Sequence, residues 1–208
     1  MLYDISPPIT EQLAVWPGDV PYRREVKLDL SAGDEVTLST LHSTVHLGAH
    51  ADAFAHIEAD GATIEAIELE RYIGPCHLLR LETPRGHAIR PADLPESPRA
   101  PRVLLATGTY PDPQRFNEDF AALSVELIDM LQAAGVRLVG LDTPSVDLLP
   151  DKDLPVHRHL ARCGIATLEG LRLDHVPAGI YELIALPLRL VGCDASPVRA
   201  VLRTQKPA

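Results

Sequence analysis

Aromatic residues, cysteines and basic residues are all scarce in this chain. Phe, Trp and Tyr make up 4% of its 208 residues, and Trp occurs once. The three cysteines, Cys76, Cys163 and Cys193, are odd in number and far apart, which argues against a disulfide framework and against a Cys-x-x-Cys metal site. We therefore expect the cysteines to be buried free thiols.

Acidic residues outnumber basic ones by 29 to 19, and the formal net charge is -10. Because phosphate binding needs a basic face, no nucleic-acid partner is expected. No apolar run approaches the roughly 20 residues of a membrane span, and the first residues lack the charged and apolar regions of a signal peptide. These absences predict a cytoplasmic protein that acts on a small molecule.

The length and the 46% of hydrophobic residues are enough for one substantial core, so we expect a single domain over residues 1–208. The second half has the pattern of a β-loop-α-β unit. A strand is expected at 103–106, a helix from its cap at Ser124 to its stop at Gly135, and a strand at 136–141. A closing core strand is expected at 180–190, and the fold class is α/β.

Four metal-competent side chains, His46, His50, Asp52 and His56, fall within eleven residues. A continuous helix would turn Asp52 and His56 about 160° away from the first two histidines, and a straight strand would separate His46 from Asp52 by about 20 Å. We therefore expect a strand that ends near His46, followed by a tight turn at Gly48 that brings His50 and Asp52 back. Neutral imidazoles and a carboxylate are the ligands of a catalytic, zinc-like ion, so this segment predicts a metal site.

Two features of the first half frame this motif. Residues 22–30 and 35–47 alternate in polarity around a turn, which predicts a β-hairpin whose second strand carries His42 and delivers His46. His42 is either an outer group of the site or an ordinary strand histidine. The only tryptophan, Trp16, precedes a Pro-Gly turn, and it is either a core plug or a flat wall for an aromatic ligand.

Polar residues also follow the strand predicted at 136–141. Asp142 and Asp147 lie at its carboxyl end, where ligands of α/β folds bind, although both could simply cap turns beside Pro144.

A second pair of ligands is predicted further along the chain. Asp153 is expected to cap a short helix that carries His157 and His159, about 200° apart around the axis, so that only one of them points inward. Spacing alone does not choose between them. An extended segment at 165–168 then leads to Glu169, which would present a carboxylate beside the inward histidine.

The segment His46-x-Gly-x-His50-x-Asp52-x-x-x-His56 resembles the signature of the metal-dependent cyclase-like hydrolases. Within that family, three features are similar to the bacterial kynurenine formamidases: the Trp16-Pro-Gly-Asp turn, the segment 140–147, and His157 followed twelve residues later by Glu169. The match covers nearly the whole chain. It implies a swivelling β/β/α single domain with a mixed central sheet, and a homodimer.

The resemblance also implies two divalent metal ions, with zinc as the first choice, and a role for each matching residue. His46, His50 and Asp52 would hold one ion, and Asp52 would bridge to a second that His157 and Glu169 complete. Glu169 is a candidate to contact both ions. His56 would be the catalytic acid/base, and Trp16 would contact the substrate.

The implied reaction is the hydrolysis of N-formyl-L-kynurenine to L-kynurenine and formate in tryptophan catabolism, with hydroxide formed at the metal site and His56 passing a proton to the leaving amine. The chain departs from the family motif at two positions. Ala49 stands where the broad family has Thr, although formamidases often have Ala there. Phe54 replaces the motif proline, which removes a restraint on φ and bears on substrate shape more than on metal binding.

Three other interpretations stay open. The nearest is a hydrolase of the same family that acts on isatin or on another acylated arylamine. A metal-stabilised binding module without turnover is a different class, but structural zinc sites usually contain cysteines and none lies near the histidines. A Cys163 nucleophile is weaker still because no activating partner is evident. The same ligands would also accept manganese, iron or cobalt.

Overall fold

The structure of the protein is a computed structural model that describes residues 1–204. Strands and α-helices are numbered here in chain order. Within the described residues they are β1 (Leu2–Asp4), β2 (Arg23–Leu28), β3 (Leu38–His42), β4 (His50–Asp52), β5 (Ile73–Arg80), β6 (Ala88–Ile89), β7 (Arg102–Ala106), β8 (Ala122–Leu123), α1 (Val125–Ala133), β9 (Leu138–Leu141), α2 (Pro155–Cys163), β10 (Ala166–Leu168), β11 (Gly179–Ile184), β12 (Ala195–Pro197) and β13 (Val201–Thr204).

A seven-stranded mixed sheet forms the centre of the fold, in the order β1-β13-β11-β5-β7-β9-β10. Its β5, β7, β9 and β10 strands run parallel, whereas β1, β13 and β11 pair antiparallel. Strands β7, β9 and β10 are buried throughout, and β5 is buried from Cys76 to Leu79, as expected when both faces of a sheet are covered. The ends of β9 and β10 lie side by side, which places the loops that follow them together.

Both faces of the sheet are packed, and alternate residues of one strand serve the two sides. Leu105 of β7 belongs to the core under α1 and α2, together with Leu127 and Leu160 from those helices. Leu104 belongs to the opposite core, which the chain around β4 covers with Ala51 and other small residues. The order of layers is therefore β4–β12, central sheet, helices. The predicted α/β fold class, a β/β/α single domain with a mixed central sheet, is confirmed.

Helix α2 begins differently from the prediction. Ser124 caps α1 as expected, since its hydroxyl accepts a hydrogen bond from the Leu127 amide. Asp153, however, is not the cap of α2. The N-cap residue is Leu154, with φ of 48°, and the Asp147 carboxylate accepts the amide hydrogens of Val156 and His157 at 2.8 and 2.9 Å. A carboxylate brought from the preceding loop thus satisfies the free N–H groups of the first turn.

Two predicted strands are too long. The hairpin exists, but β3 ends at His42, so His46 lies in the irregular segment before β4 and is not delivered by a strand. The strand predicted at 180–190 ends at Ile184, and Pro187 soon after it has no amide hydrogen to continue the ladder. The sheet is instead completed by β13, which pairs with both β1 and β11. Within residues 1–204, no helix is both long enough and apolar enough to cross a membrane.

Candidate metal centre

Backbone pairing joins two segments that are far apart in sequence. Strand β4 carries His50 and Asp52 and pairs with β12 on one side. On its other side, the His50 amide donates to the Glu169 carbonyl at 3.1 Å, and the Glu169 amide donates to the His50 carbonyl at 3.0 Å. Gly170 permits this approach because its φ is +65° and an added Cβ would lie 2.2 Å from the Gly48 carbonyl oxygen. His50 and Glu169 are therefore held side by side by main-chain bonds.

The five predicted metal ligands lie in one cluster. His50 Nε2 is 3.5 Å from Asp52 Oδ1 and 3.4 Å from Glu169 Oε2, while His157 Nε2 is 3.4 Å from Asp52 Oδ2 and 3.3 Å from Glu169 Oε1. His46 Nδ1 lies 3.0 Å from Asp52 Oδ1. The ligand atoms of these five residues form two groups that could each hold an ion, His46–His50–Asp52 and Asp52–His157–Glu169, and His46 also forms a third such group with His56 and Asp194. Asp52 belongs to both groups, as a bridging carboxylate would.

Fixed acceptors orient two of these histidines. His50 Nδ1 donates to the Gly48 carbonyl at 3.0 Å, and His157 Nδ1 donates to Asp147 Oδ2 at 2.6 Å. In the neutral imidazole, each contact leaves Nε2 without a proton and directed at the carboxylates, which is the tautomer of a metal-binding imidazole. Asp147 thus supports the site through both the ring and the backbone of His157.

Opposite charges offset burial within the cluster. Burial favours the neutral carboxyl group of Asp52, but His157 and His46 hold its pKa well below the usual range. Burial also disfavours protonated imidazoles, yet the pKa of His46 rises to about 9 because Asp52 and Asp194 contact it. The pKa of His157 is raised in the same way by Asp147, Asp52 and Glu169.

One buried carboxylate oxygen indicates that the residues of this cluster fit a metal ion. Asp52 is 5% exposed, and its Oδ1 has no aligned hydrogen bond to any part of the chain that the structure describes. Its other oxygen has long contacts, 3.5 Å from the Thr167 hydroxyl and 3.4 Å from His157 Nε2. A buried carboxylate oxygen without a donor is costly, and a cation would satisfy it.

His56 lies at the edge of the cluster beside the carboxylate of Asp194, which was not among the predicted site residues. It ends the 3-10 turn Phe54–His56, and its Nδ1 is 3.5 Å from Asp194 Oδ2. The same oxygen is 2.9 Å from His46 Nε2. Phe54 begins this turn after an extended Ala53 and packs against the core, so the turn forms without the motif proline. Asp194 enters the site because it immediately precedes β12.

A cavity of about 360 Å³ opens beside the cluster. His50, His56, His157 and Glu169 line it together with aromatic side chains. Trp16 is half-buried and packs edge-on against Phe116, with ring centroids 5.5 Å apart. Trp16 thus belongs to the cavity wall as well as to an aromatic cluster.

Charged side chains of both signs also line this cavity. They are Asp19, Asp142, Asp151, Lys152 and Arg172. Asp142 is already engaged, because its carboxylate accepts from the amides of Thr107 and Gly108. Lys152 Nζ donates to the Leu149 carbonyl at 3.1 Å, and Arg172 Nε donates to Asp174 Oδ1 at 3.2 Å. A charged ligand would therefore compete with these contacts for the two cations.

The structure separates His157 from the other histidine candidates. His159 contacts Asp129 at 2.7 Å near the surface, and His42 lies on the exposed hairpin, 3.5 Å from Glu25. Burial raises the pKa of the Cys163 thiol, which does not favour a nucleophile.

Comparison with known proteins gives related structures over the full chain. The model of the family named Cyclase ("Putative cyclase") matches residues 3–148. A structure described as a "potential metal-dependent hydrolase with cyclase activity" is 30% identical, with 100% of this chain and 99% of that chain covered and a TM-score of 0.84. A predicted metal-dependent hydrolase from Bacillus stearothermophilus is 31% identical over 97% of both chains, with a TM-score of 0.81.

A more distant match shares the fold. Isatin hydrolase A from Ralstonia solanacearum is 17% identical, with 99% of this chain and 92% of that chain covered and a TM-score of 0.81.

Proposed function

The chain belongs to the Cyclase family of metal-dependent hydrolases, and from that premise we propose that it hydrolyses N-formyl-L-kynurenine to L-kynurenine and formate. The observation that carries the proposal is the cavity beside the five-residue ligand cluster, which His56 and an aromatic wall also line. The substrate has matching parts: a small formyl amide, an aromatic ring and a charged amino-acid group. We place the reaction in the cytoplasm, in the catabolism of tryptophan.

Two divalent ions, with zinc as the first choice, would be held by His46, His50, Asp52, His157 and Glu169. When bound, such ions supply an acidified water and polarise a carbonyl oxygen. This is the chemistry that amide hydrolysis requires, because amides are poor electrophiles and water is a poor nucleophile at neutral pH.

The chain's own residues supply proton transfer and substrate orientation. His56 is partly exposed to the cavity, and its ring centroid lies 4.4 Å from that of His46 and 5.7 Å from that of His157. An imidazole in this place accepts a proton as the nucleophile forms and returns it to the arylamine nitrogen as the C–N bond breaks. The leaving group therefore departs as a neutral amine.

The aromatic side chains of the cavity wall would orient the aniline ring. The charged side chains that line the cavity, here called the charged rim, would orient the amino-acid group. Trp16 offers a large flat surface held by Phe116. Lys152 and Arg172 suit the substrate carboxylate, while Asp19 and Asp151 suit its ammonium group. A cyclic amide such as isatin has the ring but no amino-acid group, so the charged rim favours N-formylkynurenine over it.

The proposal is tested by assaying zinc-loaded protein on N-formyl-L-kynurenine and on isatin, with the His56→Asn variant and its matched control His159→Asn. We expect turnover of N-formylkynurenine that exceeds isatin turnover, and a loss of about 10²- to 10⁴-fold in His56→Asn with full zinc content. His159→Asn should keep wild-type activity because His159 contacts only Asp129 among the acidic groups.

Three results would contradict the proposal. Faster hydrolysis of isatin would assign a different substrate within the family. Full activity of His56→Asn at full zinc content would remove the proton-transfer role. Zinc binding without turnover of either compound would favour a binding module.

A further inference from the structure

We propose that Asp194 is a positioning residue that holds His46 in the tautomer needed for metal binding and His56 in the tautomer needed for proton transfer. This inference rests on the proposed function, because it concerns the metal centre that the proposed reaction requires. It starts from one oxygen, Asp194 Oδ2, which is 2.9 Å from His46 Nε2 and 3.5 Å from His56 Nδ1. A single carboxylate therefore contacts one predicted metal ligand and the predicted acid/base.

The case for His46 follows from the other two histidines of the cluster. His50 and His157 each donate a ring hydrogen to a fixed acceptor, the Gly48 carbonyl and Asp147 respectively, and direct the opposite nitrogen into the cluster. His46 directs Nδ1 at Asp52, so in the neutral ring that would bind metal the hydrogen lies on Nε2, and Asp194 is the acceptor there. With Asp194, each of the three predicted histidine ligands has an oxygen acceptor at the ring nitrogen that points away from the metal site.

The case for His56 rests on the direction of its ring. With Nδ1 toward Asp194, the opposite nitrogen is the one left for substrate. The distance of 3.5 Å is long for a hydrogen bond, and such contacts often tighten only when substrate binds. A carboxylate behind Nδ1 would stabilise the protonated ring during the reaction, as an acceptor does behind other catalytic histidines.

Main-chain pairing shows why Asp194 is held in this place. Ala195 of β12 lies opposite Asp52 of β4, and the Ala53 amide donates to the Asp194 carbonyl at 2.8 Å. The side chain itself is 48% exposed, so it makes little contribution to the core. Substitutions at Asp194 are therefore expected to fold.

The experiment uses full-length protein, with zinc alone as the binding probe, and the variants Asp194→Ala and Asp194→Asn. Asp129→Asn is the matched control, because Asp129 also contacts a histidine Nε2, at 2.7 Å, but away from the cavity. Zinc affinity is measured by competition with a chelator, and NMR of the zinc-loaded, ¹⁵N-labelled protein reports how fast the His46 Nε2 hydrogen exchanges with solvent.

We expect zinc affinity to fall about 10- to 100-fold in Asp194→Ala, and less in Asp194→Asn because the amide oxygen still accepts a hydrogen bond. In the zinc-loaded parent protein, the hydrogen bond to Asp194 should protect the His46 Nε2 hydrogen from exchange with solvent, and this hydrogen should exchange faster in Asp194→Ala. At saturating zinc, kcat should remain reduced with KM unchanged, because His56 still lacks its acceptor. Asp129→Asn should match the parent protein in all measurements.

The proposal is overturned if Asp194→Ala binds zinc as tightly as the parent and keeps the parental exchange rate of the His46 Nε2 hydrogen. Normal kcat at saturating zinc would remove the part that concerns His56. The zinc and NMR measurements need no substrate, so they decide the role of Asp194 at His46 even if the protein does not hydrolyse N-formylkynurenine.

Discussion

Replacing Gly170 with Ala should disrupt the main-chain pairing of His50 with Glu169, which holds the two segments of the metal centre together. The residue has φ of +65°, and an added Cβ would meet the Gly48 carbonyl oxygen at 2.2 Å, so the two main-chain segments must separate. The left-handed conformation costs a non-glycine residue about 1 to 2 kcal/mol. Losing the paired hydrogen bonds between His50 and Glu169 adds about 1 kcal/mol for each bond.

The expected loss of unfolding free energy in Gly170→Ala is about 3 to 4 kcal/mol, from urea denaturation of chelator-treated protein. Gly164→Ala is the matched control, because Gly164 has φ of +63° and open space where the Cβ would lie. It should lose about 1 to 2 kcal/mol and keep parental zinc affinity, whereas Gly170→Ala should bind zinc more weakly. Equal losses of stability and equal zinc affinities in the two variants would refute the reasoning.

Three further predictions concern charge, substrate and assembly. In metal-free protein the pKa of His46 is about 9 against 6.5 in an unfolded chain, so the stability that its protonation contributes is complete below pH 6.5 and is lost as the pH rises to 9. Urea denaturation between these pH values should show that slope, reduced in His46→Gln, and an unchanged slope would contradict the prediction. Arg172→Gln should raise KM for N-formylkynurenine about tenfold but leave KM for formanilide, which has no amino-acid group, unchanged; parallel changes for both compounds would argue against a contact with the carboxylate. We propose that the predicted homodimer forms through the β2–β3 hairpin, where Leu38 and Leu41 are 54% and 66% exposed. Light scattering should give a dimer for the parent and a monomer for the double variant Leu38→Asp, Leu41→Asp, whereas a monomeric parent would contradict the prediction.

The metal-binding motif could be recognised from the sequence because its ligands are close neighbours along the chain. Spacing excluded a continuous helix and a single strand, and the structure agrees, with His46 in an irregular segment and His50 and Asp52 on β4. The meeting of this segment with His157 and Glu169 could be expected from family resemblance. Their side-chain roles stay predictions, although the structure brings all five residues together.

Asp194 could not be predicted because its position depends on pairing between distant strands. Its contact with His46 spans 148 residues and follows from the pairing of β12 with β4. The local sequence Asp-Ala-Ser-Pro indicates only a turn. The local sequence also could not show whether His157 or His159 points inward. In the structure His157 is held by Asp147, which lies in the loop before α2 and accepts hydrogen bonds from the ring and the amide of His157.

The most direct test of the metal centre is anomalous X-ray diffraction at the zinc edge from crystals of the zinc-loaded protein. We predict two peaks on either side of the Asp52 carboxylate, one within coordination distance of His46 and His50 and the other of His157 and Glu169. The absence of any peak beside Asp52, or a single ion held by His46, His56 and Asp194, would contradict the account.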